Sequence, residues 1–147
     1  LNHVFSGPDG LLVAVGESGS AFRSKDGGQH WTRLATGVSG SLWSGLQRKS
    51  GQLLLLGMSG KVLESTDQGE HWTVLETGTT QALTGGVEKA DGHLVLVGTG
   101  GATVTDQDGR LVTAVRDDRQ NLSAVAASGS GLILLGQNGL IQDPPTH

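Results

Sequence analysis

Residues 24–31 read SKDGGQHW, and residues 65–72 read STDQGEHW. The two words share Ser, Asp, Gly and Trp at the same internal spacing, 41 positions apart. A fixed period of about 20–50 residues marks an array in which each unit buries its core against its neighbours. Outward from these words the period persists. LLVAVGESG (11–19), QLLLLGMSG (52–60), HLVLVGTGG (93–101) and GLILLGQNG (131–139) place glycines at 16, 57, 98 and 136, each with a second glycine three residues on. The steps are 41, 41 and 38 residues.

Each unit divides in the same way. A first strand carries Leu1 and Phe5, then Leu42 and Leu46, Leu83 and Val87, Leu122 and Val125. Turns such as GPDG (7–10) and KADG (89–92) follow, with the Gly and Asp that hairpins require. The second strand is apolar on both sides, the pattern of a strand covered on both faces. After Gly-x-x-Gly comes a third strand (SAFRS, KVLES, ATVTD), and after an Asp-containing turn a fourth (WTRLAT, WTVLET, LVTAV). Four antiparallel strands per repeat of about 40 residues predict an all-β fold of propeller blades. No stretch of 12 residues or more carries helical periodicity. The expected blades are 1–40, 41–79 and 80–118, with a partial fourth at 119–147 ending in QDPPTH, whose prolines oppose a regular hairpin.

The pattern Ser-x-Asp-x-Gly-x-x-Trp resembles the Asp-box, or bacterial neuraminidase repeat, through Ser24, Asp26, Gly28 and Trp31 and through Ser65, Asp67, Gly69 and Trp72. A third copy, DQDGRLVT (106–113), keeps Asp108 at the Asp position but has Asp106, Arg110 and Thr113 at the others. Physically the word describes a turn: Asp accepts local backbone hydrogen bonds, Gly takes a positive φ, and Trp buries apolar surface. In the families it resembles, the box is likewise structural and lies outside any active site. The longer combinations VGESGSAFRSKDGGQHW and LGMSGKVLESTDQGEHW look like the photosystem II stability and assembly factor family and its non-photosynthetic bacterial relatives. That resemblance implies a non-catalytic assembly scaffold that binds a protein or peptide outside the cytoplasm. Asp-boxes also occur in sialidases and xyloglucanases, so a fragment of such a glycoside hydrolase is the alternative.

Propellers usually have about four to eight blades. Three ring arrangements suit the repeat count: part of a seven- or eight-bladed ring completed by upstream blades, two copies pairing as a homodimer, or a small four-bladed ring. Composition narrows the function. The net charge of -4 gives no electrostatic case for nucleic acid. No apolar run approaches a membrane-spanning helix, and the absence of Cys removes disulfides and thiolate chemistry. The absence of Tyr removes the sialidase nucleophile.

Candidate binding residues fall in loops expected on one face of the ring. They are Arg116, Asp117, Asp118 and Arg119 of RDDRQN (116–121), with Glu17, Met58, Thr99 and Gln137 of the turns between second and third strands. Asp117, Asp118 and Glu17 are also the only candidates considered for a paired-carboxylate hydrolase, and no catalytic residue is assigned among them. His30 and His71 recur one blade apart and so do not converge on one ion. His3, His93 and His147 have no supporting spacing, and neither a metal nor a cofactor is expected.

Overall fold

The computed structural model describes residues 1–129 and 131–143. Among the described residues fifteen strands form four antiparallel sheets in which sequence neighbours are spatial neighbours. The first sheet is β1 (His3–Ser6), β2 (Leu12–Val15), β3 (Ala21–Ser24) and β4 (Thr32–Arg33). The second is β5 (Leu42–Gln47), β6 (Leu53–Gly57), β7 (Val62–Ser65) and β8 (Thr73–Leu75). The third is β9 (Leu83–Glu88), β10 (Leu94–Gly98), β11 (Ala102–Gln107) and β12 (Arg110–Val115). The fourth has three strands, β13 (Leu122–Ser128), β14 (Gly131–Gly136) and β15 (Gly139–Asp143). The expected all-β architecture of three full blades and a partial fourth is therefore present. Pro144, Pro145 and His147 lie outside the described residues.

The sheets stack through their second strands, and side-chain alternation decides which neighbour each residue meets. Leu53 and Leu55 of β6, with Leu63, join Val13 and Val15 of the first sheet in one buried cluster. Leu54 and Leu56, with Val62, turn the other way and pack on Leu83, Leu94, Leu96 and Val104 of the third sheet. Val95 and Val97 repeat the step onto Leu122 and Leu134 of the fourth. Hence β6 and β10 are buried along their whole length, whereas β14, with one face open, buries Leu134 and leaves Leu135 43% exposed.

Between second and third strands, the first three sheets make a single 3-10 turn: Glu17–Gly19, Met58–Gly60 and Thr99–Gly101. The second glycine of each Gly-x-x-Gly adopts φ of +70°, +71° and +76°. A Cβ there would also strike the Val38 carbonyl at Gly19 and the Thr79 carbonyl at Gly60. Glycine is thus required twice over, by dihedral and by space. Thr36 and Thr77 donate their hydroxyls to the Gly19 and Gly60 carbonyls at 2.8 and 3.0 Å, tying the turns to the outgoing chain. The fourth copy differs: Gln137 and Asn138 form a two-residue turn between paired Gly136 and Gly139.

Both full Asp-boxes close the hairpin between third and fourth strands. The Ser65 hydroxyl donates to Asp67 Oδ1 at 2.7 Å and accepts the Gly69 N–H at 2.8 Å. Asp67 Oδ1 also accepts the His71 N–H at 2.9 Å, and His71 Nδ1 lies 2.6 Å from Oδ2. Ser24, Asp26, Gly28 and His30 repeat these contacts. The His30 and His71 backbone amides, then their side chains, then the serine hydroxyls hold both Asp carboxyls far below the usual range. The expected burial of Trp splits. Trp72 packs onto the cluster containing Leu34 of the preceding sheet, whereas Trp31 stays 44% exposed, with its indole N–H bonded to the Gly28 carbonyl at 3.0 Å.

The third copy is not a box. Asp108 and Gly109, at φ +50° and +80°, make a two-residue hairpin turn between paired Gln107 and Arg110. Asp106 has no hydroxyl to bridge the turn as Ser24 and Ser65 do, and Arg110 stands where the boxes have Gly28 and Gly69 at φ +97° and +94°, so the chain takes the tighter turn and β11 and β12 run on to six residues each. Asp106 is thereby freed from the Ser role and instead accepts the Leu94 N–H at 2.8 Å.

Three measurements check this account. Leu55→Ala, at a fully buried position, is expected to cost about 2–5 kcal/mol in urea unfolding. Ser65→Ala leaves the Gly69 N–H without its acceptor and is expected to cost about 1–3 kcal/mol. Because the Asp26 and Asp67 carboxyls are depressed in the fold, their contribution is fully present above the ordinary aspartate pKa of about 4 and is lost as pH falls toward the folded values. The melting temperature is therefore expected to fall below about pH 4, less steeply in an Asp26→Asn/Asp67→Asn protein.

Candidate functional site

Chain segments 37–41, 78–82 and 116–121 carry the polypeptide from the outer strand of one sheet to the inner strand of the next. Each passes beside a turn between second and third strands. The Met58 N–H bonds the Ser41 carbonyl at 3.0 Å, Thr99 N–H the Ala82 carbonyl at 3.0 Å, and Gln137 N–H the Asn121 carbonyl at 2.9 Å. Linkers and turns consequently share one face, which is where the sequence reading places its candidates.

Segment 116–121 is the most elaborately held. Its ends are fixed by the Arg116 N–H on the Gly101 carbonyl at 2.9 Å, the Gly100 N–H on Asn121 Oδ1 at 2.8 Å and the Asn121 N–H on Gln137 Oε1 at 2.9 Å. Inside it, Asp118 accepts from Gln120 Nε2 at 2.8 Å and pairs with Arg116 at 3.2 Å. The Gln120 side chain, then Arg116, holds the Asp118 carboxyl below the ordinary range. Arg119 takes φ +51°, a conformation uncommon outside glycine, with its N–H on the Arg116 carbonyl at 3.1 Å. Thus Arg116, Asp118 and Gln137 serve the loop's own structure. Asp117 and Arg119 are exposed, and among the described residues their side chains have no hydrogen bond or ion pair.

The other candidates lie apart from this patch. Met58, 44% exposed, lines a cavity of about 400 Å³ together with segment 37–42, Ser59 and Lys61. Glu17 is exposed on its own turn, and no hydrogen bond links it to Met58 or to 116–121. The structure therefore unites Arg116, Asp117, Asp118, Arg119 and Gln137, and leaves Met58, Glu17 and Thr99, whose hydroxyl bonds Gln81 and Ala82 of the preceding linker, as separate points along the same face.

Sequence reasoning missed the strongest ionic cluster. Arg48 reaches Glu88 at 2.7 Å, Asp106 at 3.2 Å and the Gly92 carbonyl at 2.7 Å, while Glu88 also accepts the Lys49 N–H at 2.8 Å. Burial alone would raise the Glu88 carboxyl; the Arg48 bond and the Lys49 amide overcome it and hold the group below its ordinary range. Two carboxylates pinned ionised by one guanidinium cannot supply the proton that a glycosidic acid must donate. The cluster instead fastens the second sheet to the third. Arg23, in the buried β3, does the same between first and second sheets through the Gln68 carbonyl and Glu70 at 2.9 Å. The sequence signal was confined to Arg23, placed between Phe22 and Ser24 in a short strand; Arg48 lies just beyond β5 and carried none.

The Asp–His pairs of the boxes carry no nucleophile either, because the Ser24 and Ser65 hydroxyls donate to Asp and not to a histidine base. Among the described residues no three His, Asp or Glu side chains gather as metal ligands, and no helix is long and apolar enough to cross a membrane.

No protein-family model matches the sequence, and no curated protein matches it. Solved structures do. YCF48 bound to D1 peptide superposes with a TM-score of 0.66 at 20% identity, over 92% of this chain and 45% of that one. An ancestral GH74 enzyme gives 0.79 at 12% identity, over 96% and 22%. A catalytically inactive virginiamycin B lyase from Staphylococcus aureus with quinupristin gives 0.77 at 14%, over 96% and 54%. The chain spans about half the length of the YCF48 and lyase structures and about a fifth of the GH74 enzyme. Together with the two intact boxes, these likenesses identify the chain as a set of β-propeller blades of the Asp-box type, with the fold that YCF48 shares.

Proposed function

We propose that the protein is a non-catalytic scaffold that binds a protein or peptide segment at the face formed by its linkers and second-to-third-strand turns. The observation that carries this reading is the 116–121 loop, braced from both sides while Asp117 and Arg119 remain outward and unpaired among the described residues. A loop ordered in advance loses little freedom on binding, and opposite charges two residues apart favour a polar segment over a glycan. YCF48, which shares the fold, is bound to a peptide, and that supports the choice of partner class. A location outside the cytoplasm belongs to the same reading, as the resemblance of the repeat words implies. The GH74 likeness supports only the blade architecture, since the carboxylates held in place here are committed to arginine, backbone amides or their own turns.

The first sheet leaves Leu1, Val4 and Trp31 exposed, and the fourth leaves Leu135 and Leu140 exposed. On the inner sheets the corresponding faces are covered by a neighbouring blade. These faces fit further blades of a ring, either from a second copy or from upstream repeats; a dimeric mass in light scattering would assign them to the second copy.

The test is selection of a random-peptide display library against the purified protein, followed by titration of the enriched peptides. An Asp117→Ala/Arg119→Ala/Met58→Ala protein is expected to keep its melting temperature and bind them at least tenfold more weakly. Equal binding by that variant, or hydrolysis of xyloglucan or a fluorogenic sialoside by the wild-type protein, would overturn the reading.

A further inference from the structure

The outer strands of the three full sheets are unequal: β4 has two residues and β8 three, each following an Asp-box, while β12 has six. Short edges protect a sheet against unplanned pairing, and a long regular edge invites a further strand. The register of β12 shows which of its groups are available. Gln107 and Arg110 flank a two-residue turn and so form a hydrogen-bonded pair, after which bonded and non-bonded pairs alternate. Arg110, Val112 and Ala114 therefore spend their backbone groups on β11, and the Thr103 hydroxyl, donating to the Ala114 carbonyl from β11, lies on that same side. Leu111, Thr113 and Val115 turn their N–H and C=O groups outward.

Beside this edge runs a groove of about 530 Å³ between residues 75–78 and 109–113. Leu75 and Val112 line it, and the Thr113 hydroxyl, donating to the Thr77 carbonyl, holds its two walls together. Val112 and Val115 are 41% and 51% exposed on the strand itself.

We propose that β12 is a strand-addition site: an extended segment of a partner protein pairs antiparallel with Leu111, Thr113 and Val115 and lays alternate side chains into the groove. Backbone pairing fixes the partner as an extended chain, and the side chains narrow it. Arg110, exposed and without an ion pair among the described residues, flanks the turn end of the edge and favours an acidic residue opposite it, whereas Arg116 at the other end is already paired with Asp118. Glu76 in the groove wall disfavours acidic residues pointing inward, and Leu75 and Val112 favour small or β-branched apolar ones. The same charges weigh against a second copy of this chain. The self-pairing that uses all three outward residues sets Arg110 opposite Arg116 at both ends, and like charges directly opposite destabilise a pair. The site borders the 116–121 loop at Val115 but uses different groups, the outward backbone of β12, and does not depend on the function proposed for the loop face.

The probe is the capped heptapeptide Asp-Thr-Val-Thr-Val-Thr-Asp, seven residues long to span positions 110–116, compared with the same peptide N-methylated at alternate residues to remove the donors facing β12. Amide exchange at Leu111, Thr113 and Val115 is expected to slow at least tenfold with the unmodified peptide and to be unchanged with the methylated one. Val115→Pro removes an outward N–H that β11 does not use, at the strand's exposed end. It should retain the wild-type melting temperature and lose the protection at Leu111 and Thr113; Val112→Lys, which leaves every backbone group in place, should weaken binding at least fivefold. Protection confined to 116–121, equal binding of the methylated peptide, no protection at millimolar peptide, or a concentration-dependent dimer abolished by Val115→Pro would each overturn the proposal.

Discussion

Everything in this molecule depends on the burial of its second strands between neighbouring sheets. A leucine row such as Leu53, Leu54, Leu55 and Leu56 has no polar side to offer solvent, so one four-stranded sheet cannot be stable by itself. Alternation sends Leu53 and Leu55 to the preceding sheet and Leu54 and Leu56 to the following one. Each leucine removed from water contributes on the order of 2 kcal/mol, and every sheet is stabilised only by having the next one in place. The glycines follow from the same demand. Gly45, on inner strand β5, would carry its Cβ to 2.7 Å from the Leu54 carbonyl and into the Phe5 ring, so stacking this close excludes any larger residue there.

The polar groups act at the rims of that stack, in two distinct ways. Local bonds set the turns: Ser and Asp of the boxes engage donors within about four residues, so those turns can form before the sheets meet. Long-range bonds set the stacking: Arg23 reaches the second sheet from the first, and Arg48 reaches the third from the second. Hydrophobic contact is non-directional and would tolerate sliding of one sheet across another. A guanidinium with two carboxylates and a carbonyl does not, because its planar donors bind at fixed angles. The ionic clusters therefore act as register pins.

The periodic features were legible in the sequence because they are local or repeated. The doubly apolar strands and the two boxes each announce themselves within a dozen residues, and the 41-residue step emerges once two copies are aligned. The third copy shows its departures in the sequence, Asp106, Arg110 and Thr113 at the Ser, Gly and Trp positions, but the turn that replaces the box, Asp108 and Gly109 alone, was not read from them. Trp31 and Trp72 read identically, yet their burial differs because it depends on a Leu34-like neighbour from another sheet. Arg48 and its acids, 40 and 58 positions apart, meet only through stacking, and nothing in single-sequence periodicity reports that. Of the candidate site, the loop at 116–121 was legible from charge density, but the division between bracing and outward residues was not.

That division explains how a rigid fold can carry a variable face. Asp118, Gln120, Asn121 and Gln137 form a side-chain frame: Asp118 accepts the Gln120 N–H within the loop, while the other three accept backbone N–H groups across to or from the neighbouring turns. Arg119 sits in the left-handed region within this frame, a conformation that costs energy unless the surroundings impose it. The bonds on either side, Arg119 N–H to Arg116 and Gln120 N–H to Asp118, impose it. Side chains outside the frame, Asp117 and Arg119, can change without touching a single one of these bonds. The second strands must stay apolar from blade to blade, since those of the inner sheets each serve two interfaces. The outward positions Glu17 and Met58 serve none, so they can differ at equivalent places on two like turns. Specificity on such a scaffold is therefore decided by residues that the fold does not need.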